Sequence, residues 1–171
     1  MSWLVFGIGS ALGVLGVIFV LRYFLWMRLV WLIETMGQRA ENTVGIFKSG
    51  LVKNMADVKD METGWQKLIG ELKNRARWLW PGPDIWGWVS PHLTTALTQT
   101  IEFGKHLTEG GPLDWGKFQE EMSHAKEVCE NFNHHFRESA NNEIVRATAA
   151  FSLGALIVGL FHLLELLELR P

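Results

Sequence analysis

Two stretches of this chain hold no Asp, Glu, Lys or Arg: Trp3 to Leu21, nineteen residues, and Ala147 to Leu164, eighteen residues. A helix needs ~20 mostly apolar residues to cross the hydrocarbon core of a bilayer. Every backbone N–H and C=O must be paired inside that core, which restricts a spanning segment to a helix or a closed barrel. Two runs near the ends of a 171-residue chain therefore predict two transmembrane helices. The intervening residues are amphipathic and fall on one side of the membrane. The first run is not patterned as a secretory signal, which would carry basic residues ahead of a shorter apolar segment. Arg22 and Arg28 come after it, so it reads as a retained anchor. A mitochondrial presequence would be amphipathic and rich in Arg, which this segment is not.

Orientation is read from basic residues next to the spans. Arg22, Arg28, Arg39, Arg137 and Arg146 lie on the side of the middle region, and Arg170 lies beyond the second span. The middle region is therefore expected in the positive-inside compartment, with both termini on the opposite face. This implies a bacterial plasma membrane, a mitochondrial inner membrane, or another energy-transducing membrane. Arg22 and Arg28 are expected to snorkel or to pair with lipid phosphates.

Both spans are rich in small residues. Gly9 and Gly13 lie four apart, with Gly16 beyond them, and Ala150, Gly154 and Gly159 supply small positions in the second span. Small residues one turn apart let helices approach closely in lipid, where packing drives association. These six residues are the expected helix-packing positions, either between the spans or against a partner.

The middle region reads as helical. Val44, Leu51, Val58, Trp65, Leu72 and Leu79 recur every seven residues, with Phe47, Met61 and Leu68 at the companion position. Such a repeat predicts a seam on one helix face. Residues 34–80 are read as one long helix or two in series, with a bend near Gly37 or Gly45–Gly50. Asn54 and Arg75 interrupt the companion position. Residues 81–112 are read as a Trp/Pro/Gly turn and a short helix capped by Ser90, with Pro91 in its first turn. Its stripe is Leu93, Leu97, Ile101 and Gly104, and Gly110-Gly111-Pro112 ends it. A second seam, Phe118, Met122, Ala125, Cys129, Phe132 and Phe136, marks a helix over 113–146, capped by Asp114. The expected fold is all-α: a first transmembrane helix in 1–33, a long amphipathic hairpin, and a second transmembrane helix with a short tail in 147–171. Residues 34–83 carry eight basic and six acidic side chains, and residues 84–146 five and ten. The two arms are thus expected to pack with complementary charge.

Four of the nine Trp crowd the turn. Trp78, Trp80, Trp86 and Trp88, with Arg75 and Arg77, suit a membrane interface, with indoles at headgroup depth and guanidiniums on phosphates. The same residues also suit a protein interface.

Catalytic and metal motifs are missing. There is no P-loop, dinucleotide fingerprint, nucleophile elbow or His-Glu-x-x-His. His124, Cys129, His134 and His135 share a helix, but their main spacings of five and ten or eleven do not put ligands on one face, so no metal site is expected. The single Cys excludes an internal disulfide. A net charge of −2 gives no reason to expect nucleic acid. His162, with Glu165 three residues on, is the ionisable pair within a span and the one candidate for ligating a haem or pigment or for a proton path. The reading that follows is a non-catalytic accessory subunit of a larger membrane assembly, of respiratory, ATP synthase or photosynthetic type. Its partners would be the lipid bilayer and other membrane subunits, and no resident cofactor is expected. A self-oligomerising membrane-remodelling or pore-forming protein is the alternative, and a cofactor-binding subunit using His162 the second.

Overall fold

The computed structural model describes residues 2–79 and 84–168. Four helices account for nearly all of them: α1 (Ser2–Lys48), α2 (Met55–Arg77), α3 (Ile85–Glu109) and α4 (Trp115–Glu168). There are no strands among the described residues. The chain divides into two compact units, one built from Met1–Met27 with Arg137–Pro171 and one from Arg28–Phe136. Helices α1 and α4 each contribute to both.

Unit 1 holds the apolar halves of α1 and α4, the two helices that are long and apolar enough to cross a membrane. They run antiparallel: Gly9 lies against Gly154 and Val158, Gly16 against Phe151, and Arg22 against Glu143. The small residues Gly16, Ala150 and Gly154 are buried, while Phe6, Val17, Phe24, Leu156, Leu160 and Leu164 are exposed. Small residues inside and large apolar ones outside is the arrangement expected of helices solvated by lipid.

Unit 2 packs four helical segments up, down, up and down. Arg28 and Glu71 pair α1 with α2, while Gly104 against Val58 pairs α2 with α3. Phe103 on Phe118 joins α3 to α4, and Gly37 against Cys129 joins α4 to α1. Of the two readings of 34–80, one helix or two in series, the second holds, and the break folds the middle region into a bundle of four segments in place of the expected hairpin. The chain reverses at residues 49–54. There Gly50 takes φ +68, a left-handed conformation, with Leu51 N–H donating to Ile46 C=O and Gly50 N–H to Phe47 C=O. That pair of bonds is the glycine-ended helix stop that satisfies the last carbonyls. Asn54, which interrupts the seam, caps α2: its Oδ1 accepts from the N–H groups of Ala56 and Asp57, and Asp57 Oδ2 accepts from Asn54 N–H. The seven-residue repeat holds from Val58 through Trp65 and Leu72 to Leu79, all buried, and fails at Leu51, which is exposed in the reversal while Val52 is buried instead.

Helix α3 starts earlier than the Ser90–Pro91 pair predicts. Asp84 is its cap, accepting from Gly87 N–H at 2.9 Å, and Pro91 lies inside the helix. Ile85 and Val89 extend the buried stripe of Leu93 by one turn each, and that apolar burial outweighs the start signal of Ser-Pro. Gly110, at φ +79, ends α3 with Gly111 N–H on His106 C=O. Asp114 Oδ1 then accepts from Lys117 N–H at the start of α4. At this end of the bundle Phe47, Phe103, Trp115 and Phe118 form an aromatic cluster, with Phe103 stacked on Phe118 at 4.3 Å between centroids. Gly104 admits Val58 to the cluster's edge, where a Cβ would come within 2.7 Å of that side chain. A salt bridge joining the two arms places Lys126 of the acidic arm on Glu41 of the basic arm, at 3.0 Å.

Candidate functional site

The expected helix-packing glycines separate into two groups. Gly9 and Gly154 are the point of closest approach in unit 1. A Cβ on Gly154 would lie 3.3 Å from Leu12 Cβ and 3.5 Å from Gly9 C=O. A Cβ on Gly16 would meet the Phe151 ring at 2.6 Å. Gly13 and Gly159 take no part, since a Cβ on either meets nothing within 4 Å, and the same is true of Gly7.

Below the glycine contact lies a charged pair that sequence reading placed elsewhere. Arg22 Nε donates to Glu143 Oε1 at 3.0 Å, and Arg146 Nη1 lies 3.6 Å from the same oxygen. The Glu143 side chain is 4% exposed and that of Arg22 23%. Glu143 Oε2 is buried without a hydrogen-bond partner among the described residues. Arg22 is therefore held by a carboxylate of the neighbouring helix. A signal for this existed. Buried positions on α4 continue at steps of four and three as Phe136, Ala140, Glu143, Ala147, Ala150 and Gly154, so Glu143 is an acid on an otherwise apolar seam.

The Trp-rich residues lie at one end of unit 2, formed by the start of its α1 segment, the end of α2, the start of α3 and the end of its α4 segment. Trp80 and the Pro81-Gly82-Pro83 turn lie outside the described residues. Trp78 is 76% exposed, Trp88 48% and Trp31 47%. Trp86 is half-buried, with Lys73 Nζ 5.4 Å from its ring centre. The Arg28 guanidinium stands 4.4 Å over Trp31. Arg75 is engaged within its own helix, with Nε and Nη2 on Glu71 Oε1 at 3.0 and 2.9 Å, and Arg28 reaches the same oxygen at 3.7 Å. Trp88 stands 6.3 Å from the His135 ring.

The remaining ionisable candidates stay apart. His124 faces His92 of α3, ring centres 5.4 Å apart, and not the other residues of its own cluster. Cys129 is buried against Gly37, and burial pushes its thiol up to about 12. No group of three or more His, Cys, Asp or Glu suited to a metal occurs among the described residues. His162 Nδ1 and Glu165 Oε2 lie 3.9 Å apart on the exposed face of α4. A cleft of about 240 Å³ opens between α1 and α2 beside Arg39, Gln38, Asn42, Ile46 and Met61. No protein-family model, curated protein or solved structure matches this chain.

Proposed function

We propose that this chain is a non-catalytic helical subunit of a larger membrane assembly, anchored by two spans and carrying a four-helix bundle on the positive-inside face. The observation that carries the reading is the pair of open glycines, Gly13 and Gly159. The inner faces of both units are filled by the chain's own side chains. Gly159 is exposed and Gly13 half-buried, each with open space where a Cβ would stand and with large exposed apolar residues beside it in the sequence. Glycine costs a helix interior about 1 kcal/mol relative to alanine, and at these positions it serves no contact within the chain. It leaves a notch in which the helix of another subunit can pack. A respiratory, ATP synthase or photosynthetic complex of an inner or plasma membrane is the natural setting.

The test is Gly13→Leu combined with Gly159→Leu in the native membrane, read by native gel after mild-detergent extraction. The expected result is release of a folded chain from its large particle. Unchanged co-migration would overturn the proposal. A particle containing copies of this chain alone would turn the reading to self-assembly and membrane shaping.

A further inference from the structure

We propose that the tryptophan rim of unit 2 binds the headgroups of anionic phospholipid. This rests on the reading that the two apolar helices cross a bilayer, and adds to it a lipid preference located in the bundle.

Three features of the rim point to that occupant. The first is exposure: Trp31, Trp78 and Trp88 are all about half exposed or more, although the next residue in each case, Leu32, Leu79 and Val89, is buried. Indoles left this open suit a boundary with one apolar and one wet side. The second is charge. Two carboxylates beside the Trp residues are engaged within the chain, Glu71 by Arg75 and Arg28, and Asp84 by the cap of α3. Lys73 and Arg77 are left without a carboxylate partner among the described residues, and Lys73 sits on an indole. These two cations stand among aromatic rings, which is the chemistry that holds phosphate at an interface. The third is connectivity. Arg28 follows the first charge-free run by seven residues of the same uninterrupted helix. Along the chain, the rim residues Arg28 and Trp31 therefore come soon after that run. The opposite end of the bundle, with the aromatic cluster and the Gly50 and Gly110 reversals, buries Phe47, Phe103 and Phe118 and half-buries Trp115.

The experiment uses the full chain in nanodiscs of phosphatidylcholine, with or without phosphatidylglycerol. A bimane label is placed at Asn74→Cys, an exposed rim position, with Cys129 left buried. Quenching by headgroup-nitroxide lipid is compared with quenching by a water-soluble nitroxide. Lipid quenching is expected to dominate and to strengthen when phosphatidylglycerol is present. Lys73→Gln with Arg77→Gln should weaken the phosphatidylglycerol preference by roughly fivefold or more, since each cation near an anionic surface contributes about a factor of five. Lys53→Gln with Lys59→Gln makes the same change of net charge away from the rim and should leave the preference intact. Aqueous quenching in both lipids, or equal effects of the two charge pairs, would overturn the inference. Resistance of the nanodisc-free chain to alkaline extraction from liposomes reads insertion separately. Failure there would overturn the membrane reading itself.

Discussion

Replacing Arg22 should damage the chain far more than replacing the acid it pairs with. Arg22 and Glu143 meet at 3.0 Å, which at an effective dielectric of ~20 corresponds to a gross attraction of about 5 to 6 kcal/mol, most of it offset by desolvation. The two sides differ in burial. With Arg22→Ala the carboxylate stays where it is, 4% exposed, with one oxygen already lacking a partner. An uncompensated buried charge costs about 3–5 kcal/mol. Arg146, at 3.6 Å but 60% exposed, retrieves part of this, since screened pairs contribute about 1 kcal/mol at most. The expected loss is therefore about 3 kcal/mol, a shift of roughly 100-fold in the folding equilibrium. Glu143→Leu has the opposite character. It removes the poorly satisfied carboxylate from an apolar seam and frees a guanidinium that reaches water, so its cost should be about 1 kcal/mol or less. The double variant should recover most of the stability lost by Arg22→Ala alone. SDS titration of the chain in mixed micelles, followed by circular dichroism, measures all three. Equal costs for the two single variants, or simple additivity in the double variant, would refute the reasoning.

The glycine contact predicts a contrast within one class of substitution: Gly154→Leu should lower the same unfolding midpoint by an amount equivalent to about 1–3 kcal/mol, because its neighbours Leu12 Cβ and Gly9 C=O cannot swing aside. Gly13→Leu, which meets nothing, should leave it within about 0.5 kcal/mol. Cys129, with its thiol raised to about 12 by burial, should resist iodoacetamide at pH 8 until denaturant is added. Because the folded thiol holds its proton longer than an unfolded one near 9, its contribution to stability is fully present below pH 9 and is lost as pH rises toward 12, which denaturant midpoints across that window would register. Asn54→Ala should cost about 1 kcal/mol by removing the cap of α2, and Asn54→Asp should restore it, as read by thermal unfolding.

The all-helical class and the two apolar helices were legible because each rests on a pattern that one residue cannot overturn. Eighteen or nineteen residues without a charge, or four buried residues at a spacing of seven, survive local exceptions. The reversal at residues 49–54 was less legible because its signals pull in different directions. Leu51 keeps the heptad register while Gly50 and Asn54 break the helix, and the break prevails because capping satisfies backbone groups that the seam does not. Ser90–Pro91 misled for the converse reason, since Ile85 and Val89 bury enough apolar surface to carry α3 through a proline. Arg22–Glu143 could have been suspected from an acid on the α4 seam. Its partner lies 121 residues away, and no local rule joins such distant positions.

That separation also sets a schedule. At about 5–20 residues per second, a ribosome needs roughly 6–24 s to make the chain from Arg22 to Glu143. During that interval the apolar half of α1 lacks its partner helix, its glycine face uncovered and its guanidinium without its carboxylate. The bundle is equally unfinished, since Phe47 waits for Phe118, and both units close only when α4 emerges. A chain truncated within α4 would leave both units open, so the last third of translation completes the fold.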